Sequence, residues 1–101
     1  MDKILNNLGL CQKAGSLVSG EEIVIEYLRN NKIFYIFLAS DASDNAKKMI
    51  TDKAKYYNVE VNNDYSSFEI SNAIGKTGRM VVGITNSGFV KILKKWGWYC
   101  G

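Results

Sequence analysis

Three stretches of this 101-residue chain carry residue types that could do chemistry. The first is Gly15-Ser16-Leu17-Val18-Ser19-Gly20-Glu21-Glu22, a glycine-gated loop that opens straight into a helix. Ser19 precedes Glu22 by three residues, the spacing of a Ser-x-x-Glu capping box at a helix start. Gly20 lets the backbone come close to whatever lies in front of that start. Bare amides at a helix N-terminus are a natural seat for a phosphate or a nucleotide edge. The second stretch is Lys76-Thr77-Gly78-Arg79, a glycine-and-basic loop. Its Gly75-Lys76-Thr77 triplet resembles the tail of a phosphate-binding P-loop. That motif needs a second glycine five residues earlier, where this chain has Ile70, and it opens a helix rather than following one. Nucleoside-triphosphate binding is therefore excluded. The third stretch holds Asp41 and Asp44, paired carboxylates suited to acid/base work or to a cation. With no histidine and no second acidic cluster, they read as turn and cap residues. Trp96, Trp98 and Tyr99 lie among lysines, where they would either stack on bases or fold back onto the core.

The bulk composition narrows the field. One hundred and one residues make one domain with one core, and 47% apolar content belongs to a folded protein. Histidine is absent, which removes most general-base, activated-nucleophile and metal arrangements. No catalysis, no cofactor and no metal are expected. Neither a signal peptide nor an apolar run long enough for a transmembrane helix is present, so a cytoplasmic location away from membranes is expected. Cys11 and Cys100 read as reduced thiols in that setting, with a disulfide the lesser alternative. Charge is unevenly spread: residues 1–75 hold eight Lys/Arg against ten Asp/Glu, a net −2, and residues 76–101 hold five basic residues and no acid, a net +5. An all-basic C-terminal quarter suits either a polyanionic partner or a solvated helix face.

The elements that must position these residues follow from periodicity. Ile4, Leu5, Leu8, Leu10 and Cys11 have helical spacing within residues 2–14. Leu17-Val18 is a short extended piece, and residues 20–30 form a helix with its core stripe at Ile23, Val24, Tyr27 and Leu28. The apolar run from Lys32 to Ala39 predicts a strand buried on both faces. Ser43 or Asp44 caps a helix to about residue 57. A strand at Val59–Val61, a helix from Ser66 stopped by Gly75, a strand at Arg79–Thr85 and a closing helix at 87–95 complete the chain. Strands separated by helices predict an α/β fold, an α/β/α sandwich around a small sheet, with ligands at loops off one end. Residues 1–95 form the domain, and 96–101 a short aromatic tail.

A resemblance adds to this reading. Leu8-Gly9-Leu10, Ala14-Gly15, Leu17-Val18-Ser19-Gly20-Glu21-Glu22, Leu38-Ala39-Ser40-Asp41-Ala42-Ser43, Thr51-Asp52-Lys53, Tyr56-Tyr57, Ile74-Gly75-Lys76 and Gly88-Phe89 resemble, in order and spacing, the YlxQ-type bacterial proteins of the ribosomal L-seven-Ae/L-thirty-e superfamily. The resemblance spans residues 4–95. It implies a three-layer α/β/α sandwich with a four-stranded mixed sheet. It also implies a small cytosolic RNA-binding protein, often ribosomal, with a preference for the bent kink-turn motif. The family's RNA lies on the N-terminus of the second helix and on the loop before the last strand. Its archaeal helix motif Gly-x-Asn-Glu-x-x-Lys falls on Gly20, Glu22, Ile23 and Glu26, and only the glycine survives. Two carboxylates thus stand where the motif offers an amide and an ammonium, and each opposes a nearby phosphate. Glu21 and Glu22 also suit the helix dipole as N-terminal acids.

The resemblance makes structured RNA, and with it the ribosome, the expected partner of a monomeric protein. The expected contacts are Gly20 with the amides of Glu21, Glu22 and Ile23, the Glu22 and Glu26 carboxylates, Lys32 at a phosphate, and the loop of Lys76, Arg79 and Met80. Met80 would act as an apolar wedge, and the positive charge would come chiefly from the loop. The alternative is a protein-interaction module on the same scaffold with a degraded RNA surface.

Overall fold

The computed structural model describes the backbone of residues 3–96 and the side chains of residues 3–91 and 95. Helices and strands alternate: α1 Lys3–Lys13, β1 Leu17–Ser19, α2 Glu21–Arg29, β2 Tyr35–Leu38, α3 Asp44–Tyr56, β3 Val61–Asn62, α4 Ser67–Ala73, β4 Val81–Ile84 and α5 Ser87–Trp96. The sheet order is β1-β4-β2-β3. β4 lies antiparallel to both β1 and β2, and β3 is parallel to β2. α2 and α3 pack together on one face, while α1 packs with α4 and α5 on the other. The fold is the expected α/β/α sandwich with a four-stranded mixed sheet. No helix among the described residues is long and apolar enough to cross a membrane. α5 runs one residue past the expected domain edge, through Trp96, and Trp98, Tyr99 and Cys100 lie outside the described residues.

The double-sided apolar run explains the core. Every residue from Tyr35 to Ala39 is buried, and Ile36 and Phe37 are wholly so. Each large side chain of this kind stabilises the fold by about 1.5–3 kcal/mol relative to exposure. Strands β2 and β3 start later than the apolar pattern suggests because the preceding helices use the backbone donors first. Lys32 N–H closes α2 on the Tyr27 carbonyl, and Val59 N–H closes α3 on the Ala54 carbonyl. Both helices end in Schellman turns whose left-handed residues are Asn31 and Asn58. Gly75 ends α4 the same way, with Lys76 N–H bonded to the Ser71 carbonyl at 2.9 Å.

Close helix packing fixes one further residue type. A Cβ on Gly9 of α1 would sit 2.9 Å from the Ala73 carbonyl oxygen of α4, so only glycine permits that approach. Cys11 of α1 is fully buried. Burial pushes its thiol up to about 11 against a weaker opposing backbone hydrogen bond, so it stays protonated and unreactive near neutral pH.

Candidate nucleic-acid interface

The sheet register brings the two singled-out stretches to one end of the molecule. Ser19 pairs with Val82 and Leu38 with Val81. The C-terminal ends of β1 and β2 therefore meet the N-terminal end of β4. Gly20 N–H donates to the Val81 carbonyl at 2.9 Å, and Ala39 N–H donates to the Met80 carbonyl at 2.7 Å. The loop before β4 is thereby tied to the start of α2. This is the edge of an α/β sheet where strands end and helices begin, the usual place for ligands.

The helix start differs from the expected capping box. Ser19 belongs to β1, and Gly20 is the N-cap, with φ 109° and ψ 144° and no side-chain cap bond. The N3 position then falls on Ile23, which cannot reach back, and Glu22 is one residue too early to do so. The box forms instead at α4. There Ser66 Oγ accepts from Glu69 N–H at 3.1 Å, and Glu69 Oε1 accepts from Ser66 N–H at 3.0 Å. Gly20 is needed for its own backbone angles, which L-residues rarely adopt. The first intrahelical bond is Val24 N–H to the Gly20 carbonyl at 3.0 Å, so the amides of Glu21, Glu22 and Ile23 precede the helical ladder.

Arg79 completes the site. Its Nη1 lies 3.9 Å from the position a Cβ on Gly20 would occupy. The guanidinium therefore lies beside the uncapped helix end. Its Nε is buried with no hydrogen-bond partner, leaving one donor unused. The backbone beneath is pinned by Ser71 of α4. Ser71 Oγ accepts from Arg79 N–H at 2.8 Å and donates to the Arg79 carbonyl at 3.3 Å. Sequence reasoning missed Ser71. The available signal was a small hydroxyl residue on the buried face of α4, next to Ile70.

The remaining expected residues divide. Glu21, Glu22, Ile23 and Glu26 are all exposed on α2, and Lys76 and Met80 are exposed in the loop. Ile23 and Met80 leave 47% and 43% of their surface in solvent, which puts apolar side chains on both elements of the site. Lys32 is not part of this cluster. It follows the far end of α2, about 13 Å along the helix from Gly20, and its ammonium lies 6.0 Å from the Tyr27 ring centre. Asp41 does serve as a cap, though for a distant helix. Its carboxylate accepts from Ser67 N–H at 2.7 Å and Ser67 Oγ at 2.6 Å. The Ser67 hydroxyl and amide hold that carboxyl below its usual range.

The fold is thus a mixed-sheet α/β/α sandwich with an uncapped helix end beside a basic loop. Residues 2–94 match the model of the Ribosomal protein L7Ae/L30e/S12e/Gadd45 family, and the chain belongs to it. It is 44% identical over 93 residues to an RNA-binding protein YlxQ from Enterococcus faecium, covering 92% of this chain and 89% of that one. The identity to an RNA-binding protein YlxQ from Bacillus subtilis (strain 168) is 41% over 86 residues, covering 85% of this chain and 86% of that one. Among solved structures, a protein of unknown function from Bacillus halodurans superposes with a TM-score of 0.90 at 34% identity, covering 94% of this chain and 96% of the other. The Giardia lamblia 15.5kD RNA binding protein superposes with a TM-score of 0.77 at 14% identity, covering 94% and 88%, and shares the fold.

Proposed function

We propose that this protein is a non-catalytic, cytoplasmic RNA-binding protein that recognises kink-turn-like structured RNA, in association with the ribosome. The observation that carries the reading is the seat of Arg79 beside the uncapped Gly20 end of α2. There, a guanidinium nitrogen lies beside the amides that precede the helical ladder. The names of its relatives, which bind RNA, support the same reading. Phosphate or base-edge acceptors would take the amides and the guanidinium. Ile23 and Met80 would contact an exposed nucleotide, and Lys76 would add charge.

The carboxylates of Glu22 and Glu26, both exposed on α2, favour the second reading, a protein-interaction module. Binding to a kink-turn duplex and to an unkinked control, measured over a salt series, separates the two. The RNA reading expects the kink-turn to bind more tightly. It also expects Arg79→Ala to weaken binding by on the order of 1 kcal/mol and to lower the salt slope by about one. Equal binding of the two duplexes would sink the kink-turn claim.

A further inference from the structure

A cavity adjoins the same loop where it passes α4. It has a volume of about 300 Å³ and lies between α4 and residues 76–78. Ser67, Phe68, Ser71, Asn72, Lys76 and Thr77 are among its walls. Phe68 is 77% exposed, so its ring is open to a ligand. Two wall residues are already committed. The Ser67 hydroxyl donates to Asp41, and Ser71 holds Arg79. The Asn72 amide, the Thr77 hydroxyl and the Lys76 ammonium have no partner within the protein among the described residues. The uncommitted groups are thus an aromatic face, an amide that both donates and accepts, a hydroxyl and a cation.

That set fits one chemistry. A nucleobase offers a π-face to a phenyl ring and a donor/acceptor edge to an amide, and its phosphate offers charge to a lysine. We infer that the Phe68–Asn72–Lys76 cavity is a subsite for an unpaired nucleobase of the RNA, with Phe68 as the stacking platform. The inference rests on the RNA-binding reading above and extends its footprint along the loop to α4. The helix start at Ser66 takes no part, because its donors are already satisfied by the capping box. A larger groove of about 570 Å³ on the α1 side of Phe68 is walled mainly by apolar residues such as Leu5, Leu10 and Ala73. An apolar side chain of a protein partner would prefer that groove, and the test below separates it from a base.

The experiment is an NMR titration of the full chain with single-stranded pentauridylate and pentaadenylate, with inorganic phosphate as the control ion. The Phe68 ring protons and the Asn72 side-chain amide should shift with the oligonucleotides and not with phosphate. Phe68→Ala should weaken oligonucleotide binding about tenfold, Phe68→Tyr should retain it, and Phe68→Leu should lose as much as Phe68→Ala. Because the ring is exposed, these variants should keep the wild-type amide spectrum. A Phe68→Leu variant that binds like wild type overturns the inference, because apolar area without stacking would then suffice. Shifts confined to Gly20–Ile23 and Arg79 overturn it too and leave the main interface intact. Shifts at Phe68 together with equal binding of kinked and unkinked duplexes would uphold the subsite and remove the kink-turn reading instead.

Discussion

Helices α2 and α4 begin at the same end of the sheet and are finished in opposite ways. The α4 start is closed. Ser66 and Glu69 cap each other, and Asp41 takes both the amide and the hydroxyl of Ser67. The α2 start is open: Gly20 brings no side chain, and the first-turn acids Glu21 and Glu22 complement the helix dipole without capping it. A glycine N-cap forgoes only a few tenths of a kcal/mol relative to a capping side chain. This chain therefore satisfies the helix end beside an already crowded loop and leaves unsatisfied the end that Arg79 overlooks. The Ser71 hydroxyl links the two, because it fixes Arg79 from the body of α4. The contrast teaches that at this edge of the fold the closed terminus serves as scaffold and the open terminus as surface.

The comparison is most exposed at Gly20. Gly20→Ala adds no clash, since the nearest atom to the new Cβ is Arg79 Nη1 at 3.9 Å. It does force an L-residue to φ 109°, at a cost of about 1–3 kcal/mol. Urea unfolding should show a lower midpoint with an unchanged slope. A loss under about 0.5 kcal/mol, the scale of an inert surface change, would mean that the open end does not depend on this backbone. The next effect in size belongs to the closed end. Ser66→Ala removes one half of the capping box and should cost about 1 kcal/mol, read by the same unfolding curves. A neutral result would show that Asp41 alone closes α4 and that the two helix starts differ less than their hydrogen bonds suggest.

Much of the architecture was legible because it is written in local rules. Helical spacing located α1 and α2, the Ser43 cap located α3, Ser66 and Gly75 bounded α4, the closing helix is found as α5, and the unbroken apolar run located the buried strand. The helix cap at Ser43 is found in the structure, where its Oγ accepts from Ala46 N–H at 3.2 Å. The site was legible only in part. Gly20 and the loop at Lys76–Met80 were singled out by residue type, and the sheet register joins them. Lys32 lies apart from them because the nine residues of α2 separate it from Gly20. The capping box was assigned to Ser19 because Ser-x-x-Glu occurs there as well as at Ser66. Only the pairing of Ser19 with Val82 removes it from the helix. The Ser71–Arg79 and Asp41–Ser67 contacts depend on how the turns at Gly75 and Gly78 and the strand crossover fold the chain back, which no local pattern encodes.

Asp41 gives the smallest expected effect and the most specific one. Its carboxyl is held below the ordinary value of 3.8 by Ser67 and stays solvent-exposed. A lowered folded-state pKa means that the unfolded chain binds the proton more readily. Its contribution is therefore fully present above that ordinary value and is lost as pH falls through the lower, folded-state value. Asp41→Asn keeps one acceptor for Ser67 and loses the charge that α4's N-terminus favours. Thermal unfolding should thus separate wild type from Asp41→Asn at neutral pH, and the two curves should converge as the solution is acidified. A gap that persists in strong acid would assign the contribution to the neutral hydrogen bond. The closed end of α4 would then owe nothing to charge, and the electrostatic part of its contrast with α2 would disappear.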